Sequence, residues 1–510
     1  MELNSSELAL SLSVLTLVAI LLRRRLKSNY RLPLPPSPRS DPIIGHLRSL
    51  PTSDEHLVYA NLSEELNSKI VSLNVLGQTI IILNSAEEAR ELFDRRSAIY
   101  SDRPVLPILS DPNLVDCGGL TSLLRYGDRW RSQRRMSHSV LHKKASMMFW
   151  PISVEQSRKA MRRLMKNPDN FFQEFKRMSG TTILSAVYGY EVTSSSDPLV
   201  EIVETAVNHI SQAAIPGNFY VNVIPSLRFV PEWFPGTKWK QTVNLWRAEK
   251  NEMVNAPFEW TRKHMEQGTA PPSVLKTLLS EVENRALPKC DLVEQLDRVK
   301  WTVGTLFGEF RLLAEDTTVA ITLVFILAMT LYPDVQARAQ AEIDRVVGRD
   351  RLPEMEDRDS LPYIGCVLKE VLRWQPVVPL GGPRASIKDD EYASYRIPKG
   401  ATMAMSYDSS VYRNPQEFNP DRFLDPNTPS APTFGFGRRS CPGVHMAESA
   451  LFINMCNLLA VFNISAPCDD EGNPILPSVK MKTTAVISHP AEFECLIKPR
   501  SQKAVELLKA

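Results

Sequence analysis

Cysteine is scarce, with seven residues in 510, too few for a disulfide scaffold and odd in number. Net charge is almost absent as well. Lys+Arg number 60 and Asp+Glu 58, which argues against nucleic acid as the main partner. No Gly/Ser linker, repeat or low-complexity tract interrupts residues 45–500. So although about 150 residues per domain would give about three domains, the sequence reads as one large body. Hydrophobic residues at 43% and charged residues at 23% exclude a disordered, collagen-like or polytopic membrane chain. What remains is a large, reduced, folded protein of the kind that enzymes are.

The near-zero charge is an average. Residues 1–40 hold Arg23, Arg24, Arg25, Lys27, Arg31 and Arg39 against only Glu2 and Glu7, so the whole positive excess sits there. Leu8 to Leu22 is an unbroken run of apolar residues with Ser and Thr. It is slightly short for a hydrocarbon core of roughly 30 Å, so Ser5, Ser6 and tilt or bilayer thinning must help it span. Acids before the run and basic residues after it reverse the order of a cleaved signal peptide, whose apolar region is the competing reading beside a buried helix. The expectation is a luminal tip and single-pass anchor over 1–22, a basic stop-transfer segment and proline-rich hinge over 23–44, and a cytosolic domain over 45–510. Asn4-Ser5-Ser6 is a glycosylation sequon on the luminal side, whereas the sequons at Asn61 and Asn463 would be cytosolic and silent. Pro33, Pro35, Pro36 and Pro38 fix φ and remove donors, which predicts a stiff, extended spacer.

The body reads as mainly α with small β sheets. Ile70–Leu76 and Thr79–Leu83 are β-rich runs around Gly77, a hairpin signal. Ser85-Ala86-Glu87-Glu88 has the form of a capping box opening a helix through Phe93. Helical patterns follow over 128–148, 152–166, 169–187, 199–213, 238–267, 291–332, 334–347 and 360–374, with strands from 384 and another helix after 443. Residues 215–239 interleave Phe219, Tyr220, Ile224, Phe229, Trp233, Phe234 and Trp239 with prolines. They read equally as core aromatics in a long loop or as a lip that dips into a membrane.

One stretch carries chemistry: Phe434-Gly435-Phe436-Gly437-Arg438-Arg439-Ser440-Cys441-Pro442-Gly443. Glycines at 437 and 443 would let the backbone turn sharply and leave room for close approach. Cys441 sits just before a helix, whose N–H groups and dipole favour a thiolate. Its neighbour four residues on, His445, has no second pair to complete a zinc site.

These residues fit Phe-x-x-Gly-x-Arg-x-Cys-x-Gly at every fixed position, and the loop resembles the haem-thiolate signature of the cytochrome P450 monooxygenases. The resemblance implies haem b with its iron ligated by Cys441, whose thiolate favours O–O cleavage, and a cofactor pocket that includes Phe434, Gly437, Gly443 and Arg439, the last facing a propionate. Upstream, Trp130 and Arg134 match the family's W-x-x-x-R helix and would meet one propionate, and Arg384 after Gly381-Gly382-Pro383 would meet the other. Glu370 and Arg373 stand at i,i+3 on one helix face, and with Arg422 of Pro420-Asp421-Arg422-Phe423 they match the family's charged triad, which holds the Cys loop in place.

The resemblance also implies a reaction. One oxygen atom of O2 enters a lipophilic small molecule, by hydroxylation or epoxidation, with electrons from NADPH through a separate membrane-bound NADPH–cytochrome reductase. Arg129, Arg131, Arg135, Lys143 and Lys144 offer that partner a basic patch. Asp316-Thr317 is the acid–alcohol pair for proton delivery. Residues 104–120, 304–313, 377–382 and 484–489 would wall the substrate pocket. Tyr126-Gly127-Asp128-Arg129-Trp130 and Trp233-Phe234-Pro235-Gly236 look like fungal members that tailor terpenoids, polyketides or alkaloids. These features place the protein in the endoplasmic reticulum membrane with its body in the cytosol.

One segment departs from the family pattern. Leu313 and Ala314 stand where the small Ala-Gly pair precedes the acid–alcohol pair, and Glu309-Phe310-Arg311-Leu312 looks like about one extra helical turn. A distorted oxygen groove would lower or uncouple turnover. Two rival readings therefore stand beside the monooxygenase: a haem-binding protein with impaired activity, and a thiolate enzyme that rearranges peroxides or dehydrates without O2.

Overall fold

The computed structural model describes residues 32–509 apart from 52–53, 193, 195–196, 216, 286–287, 310–315, 406–410 and 485–486. The expected anchor, the basic cluster through Arg31 and the Asn4 sequon lie outside the described residues, as does most of the expected extra turn.

The first third carries α1 (Glu55–Glu65), β1 (Ile70–Val75), β2 (Gln78–Leu83), α2 (Asp128–Leu141), α3 (Trp150–Leu164) and α4 (Phe171–Tyr188). Then come α5 (Pro198–Ala214), α6 (Lys238–Glu266), α7 (Val274–Glu283), α8 (Lys289–Glu309), α9 (Asp316–Leu331), α10 (Pro333–Val346) and α11 (Pro362–Trp374). Strands β3 (Arg384–Ala385), β4 (Asp390–Tyr392), β5 (Tyr395–Ile397) and β6 (Thr402–Met405) precede α12 (Val444–Val461). The chain ends in β7 (Phe462–Ser465), β8 (Met481–Thr484), β9 (Ile487–Pro490), β10 (Leu496–Pro499) and α13 (Gln502–Lys509).

The largest sheet has the order β1-β2-β6-β3. β1 and β2 pair antiparallel with Ile70 opposite Leu83, through the expected hairpin, whose Leu76 and Gly77 both take positive φ (51° and 86°) as a tight primed turn requires. β6 joins β2 in parallel, and β3 closes the edge with Arg384 opposite Met403. This sheet thereby presents Arg384 to the cysteine loop.

Two large apolar clusters flank the central helices. α9 is apolar on all sides, buried from Val319 to Met329, and packs with α3, α10, α11 and α12. Val299, Val303, Leu306 and Phe307 of α8 belong instead to a cluster with α4, α5, α6, α7 and the segment around residues 108–120. Each fully buried Leu or Phe in them contributes about 1.5–3 kcal/mol. α12 is, among the described residues, the one helix long and apolar enough to span a membrane by itself. It is mostly buried, a core helix of the body.

Several expectations change in detail. Ser85 does cap its helix, accepting from Glu87 N, but the α-helix ends at Arg90 and a π-helical turn covers Glu91–Arg95. The helix expected over 128–148 stops at Leu141, because His142 turns to an extended ψ of 162° and caps a new short helix through Ala145 N. The proline segment forms neither helix nor strand, and it is no free-standing spacer. Ser72 donates to Pro35 O and Pro36 O (2.6 and 2.8 Å), and Arg396 N donates to Pro33 O at 2.8 Å. In the aromatic segment, Phe219 and Trp239 pack on the core, while Tyr220, Phe229 and Trp233 are 73%, 74% and 81% exposed.

Candidate active site

The cysteine loop is built from local geometry. Cys441 N donates to Phe434 O at 2.8 Å and Ser440 N to Gly437 O at 3.1 Å, which closes the loop immediately before α12. Cys441 is half-buried at that helix's N-terminal end, with Gly443 in the N-cap position. Gly437 has φ +51°, and a Cβ there would lie 2.1 Å from Phe93 O, so only glycine permits this approach. Gly435 is also left-handed, at φ +75°. Gly443 differs from its expected role: its φ of −92° is open to any residue, so its own backbone does not demand glycine.

Three distant segments converge on the loop. Arg134, on α2, reaches Ser440 Oγ at 3.4 Å. Trp130, one turn earlier and 5% exposed, has the Arg439 guanidinium 4.6 Å from its ring centroid. Arg439 donates to three carbonyls, Ser101 O, Thr121 O and Leu124 O, at 2.9, 3.0 and 2.6 Å. It thus ties the cysteine loop to the 101–124 segment. Trp130, Arg134, Arg439 and Ser440 line a cleft that Thr305 and Leu306 of α8 close from the other side.

Arg384 makes the sharpest electrostatic statement. It is 4% exposed, donates from Nη2 to Phe436 O at 2.6 Å, and lies 4.3 Å over the Phe93 ring. Its Nη1 is buried with no hydrogen-bond partner among the described residues. Burial pulls its pKa down to about 9, with nearby Arg103 adding repulsion and Asp94 opposing it. A buried donor of this kind, against the cysteine loop, fits an anionic group. The residues present therefore suit haem: a cysteine at a helix N-terminus for iron, and arginines for its carboxylates. Among the described residues no cluster of three His, Cys, Asp or Glu forms an alternative metal site.

The expected triad is assembled. Glu370 receives Arg373 (Nε to Oε2, 2.7 Å; Nη2 to Oε1, 2.9 Å) and Arg422 (Nε to both oxygens, 3.1 Å). Thr317 is half-buried on the first turn of α9; Asp316 opens that helix. Sequence reasoning missed Phe93, whose carbonyl faces Gly437 and whose ring carries Arg384. A phenylalanine some 340 residues upstream of the loop carries no local signal of that contact.

A mainly helical body that brings one cysteine loop to a helix terminus, beside a buried guanidinium nitrogen with no hydrogen-bond partner among the described residues, defines a protein suited to hold an anionic, metal-bearing cofactor through thiolate. The family model for Cytochrome P450 matches residues 35–494. A cytochrome P450 monooxygenase of Armillaria gallica is 37% identical over 99% of both chains. Cytochrome P450 monooxygenase 208 of Postia placenta is 38% identical over 98% of this chain and 96% of its own. A zebra fish cytochrome P450 solved with progesterone superposes with a TM-score of 0.71 over 87% of this chain and 99% of its own, at 24% identity, a likeness of fold. The chain belongs to the cytochrome P450 family. Its class is that of oxidoreductases that incorporate molecular oxygen, as its fungal relatives are named.

Proposed function

We propose that this protein is a membrane-tethered monooxygenase of fungal secondary metabolism, which hydroxylates or epoxidises a lipophilic small molecule with NADPH electrons delivered by a separate reductase. The observation that carries this reading is the closed loop that holds Cys441 at the N-terminus of α12 beside Arg384. When bound, the haem supplies dioxygen activation and oxygen-atom transfer. The chain's own residues do the rest. Cys441 offers the thiolate, Arg384 and Arg134 offer donors to the carboxylates, and Asp316-Thr317 is the pair suited to hold and pass a proton.

The surroundings agree with a lipophilic substrate and a membrane. Leu109, Val115 and Leu306 are buried apolar side chains of the expected walls. Trp233, Phe229 and Tyr220 expose a wide aromatic surface near Arg228 and Lys240, the composition of a lip that rests at a lipid interface. The run Leu8–Leu22 supports an anchor in the endoplasmic reticulum, with Asn4 on the luminal side. Arg135, Lys143 and Lys144 are exposed for a reductase, whereas Arg129 is engaged with Asp297 at 2.9 Å and Arg131 with Asp128 at 2.5 Å.

The test is oxygen uptake by the haem-loaded protein with reductase and NADPH. Uptake that depends on all three supports the reading; a loaded protein that never consumes O2 overturns it. That second outcome belongs to a haem-binding protein with a failed oxygen-activation helix, which Leu313 and Ala314 in place of a small pair favour. A finer prediction follows. Deleting residues 309–312, which the sequence reads as about one extra turn, is expected to raise product formed per NADPH consumed by several-fold. Unchanged coupling in the deletion removes the idea that the extra turn matters.

A further inference from the structure

Outside the cysteine site, the most unusual ionisable group is Lys250 on α6. Its side chain has no solvent exposure. Its Nζ has no hydrogen-bond partner, and Asp116 Oδ2 at 3.5 Å is its one carboxylate within ion-pair reach among the described residues. The ammonium lies 5.1 Å from the centroid of the Trp301 ring on α8. Cys117, fully buried beside Asp116, supplies no counter-charge, because burial pushes its thiol up to about 12. Arg247, one turn earlier on α6, adds positive charge and is bound to the carbonyls of Asn113 and Leu114. Burial accordingly pulls the Lys250 ammonium's pKa down.

A fully buried ammonium held by a single imperfect ion pair is a poor way to stabilise a fold. Asp116 is also an exchangeable partner. Its side chain is 38% exposed, and its backbone sits at φ +57°, a conformation that non-glycine residues adopt at a cost. The location ties this cation to the active site. Trp301 presses on Gly119 so closely that a Cβ there would lie 2.2 Å from its ring. One turn along α8, Thr305 accepts from Thr121 N at 2.8 Å and lines the cleft that Ser440 of the cysteine loop also lines.

We infer that Lys250 is the anchoring cation for the carboxylate of an acidic lipophilic substrate, which replaces Asp116 as its partner and so fixes which end of the molecule points away from the cysteine loop. This rests on the monooxygenase reading and names its substrate class: long apolar carboxylic acids rather than alcohols or hydrocarbons. No bond forms or breaks in the exchange. One carboxylate leaves Lys250 for solvent, and another takes its place in a site where a charge-assisted hydrogen bond is strong.

The probes are decanoate and 1-decanol, equal in length and different in charge, titrated into the haem-loaded protein by thermal shift and by visible difference spectrum. The wild type is expected to bind decanoate about 10- to 100-fold more tightly than decanol. Lys250→Met is expected to abolish that ratio and leave decanol binding in place. Asp116→Asn, which removes the resident carboxylate, is expected to raise the ratio further, and it decides the matter if Lys250→Met does not fold. Equal binding of the two probes, no binding of either, or a ratio unmoved by Asp116→Asn overturns the assignment. Failure of the monooxygenase reading shows separately, as loss of oxygen uptake with the decanoate preference intact in the thermal shift.

Discussion

Cys441→Ala abolishes the thiolate-type band in the carbon-monoxide difference spectrum of the reduced protein, and with it all NADPH-dependent oxygen insertion. The loss is complete rather than graded, because no other cysteine can stand in. Burial pushes the thiols of Cys117 and Cys495 up to about 12, and raises Cys366 and Cys456 as well. These are inert, protonated core residues. Cys290 and Cys468 are exposed and far from any comparable loop. Cys441 alone is half-buried, closed into a turn by Phe434 O, and placed where α12 directs its free N–H groups. The fold itself should survive. Removing one half-buried sulfur changes the stability of the haem-free protein by about 1 kcal/mol or less, so thermal unfolding of the two haem-free proteins separates loss of ligand from loss of fold. A thiolate band that persists in Cys441→Ala would assign the iron ligand elsewhere and undo the site described here.

The parts of this site that were legible in the sequence are those whose reasons are local. The cysteine loop could be read because its glycine and cysteine spacing encodes a turn against a helix terminus, and Gly437 does stand in the left-handed region. Glu370 and Arg373 were legible because i,i+3 places them on one face of α11. The hairpin at Gly77 was legible from two β-rich runs around a turn residue. What the sequence hid depends on long-range packing. Nothing near Phe93 announces that its carbonyl abuts Gly437 or that its ring lies beneath Arg384. The helices α1, α7 and α13 escaped notice because each is short, and tertiary contact rather than pattern stabilises it. Arg439 shows the limit of motif reading. The motif names it, but only the fold shows three carbonyls of the 101–124 segment around its guanidinium. Lys250 was invisible for the same reason, since a lysine in a helical pattern reads as a solvated face and here has no exposure.

Glu370→Ala is expected to destabilise the protein by about 3–5 kcal/mol, the loss typical when one member of a buried ion group is removed. The reason lies in what it leaves behind. Glu370 and Arg373 have side chains with no exposure, and Arg422 is 10% exposed, so deletion of the carboxylate strands two buried guanidinium groups. The damage reaches the site because the triad is also a scaffold for backbone. Arg373 donates to Pro415 O and Glu417 O, Arg422 to Arg413 O and Glu417 O, and Asn419 N donates to Glu370 Oε1 at 2.6 Å. Trp374 Nε1 adds Gln416 O at 2.8 Å. The segment 413–422 is thus pinned to the end of α11, and Thr433 Oγ1, donating to Leu372 O at 3.2 Å, ties the start of the cysteine loop to that same helix. Loss of the carboxylate should therefore lower haem retention and thiolate ligation together. Glu370→Gln keeps the shape and one acceptor oxygen but removes the charge, and should fall between wild type and alanine in denaturant midpoint and in haem occupancy. If Glu370→Ala unfolds at the wild-type midpoint, the triad does not hold this fold together. If it is destabilised yet keeps full thiolate ligation, the path through Thr433 and Leu372 does not position the loop.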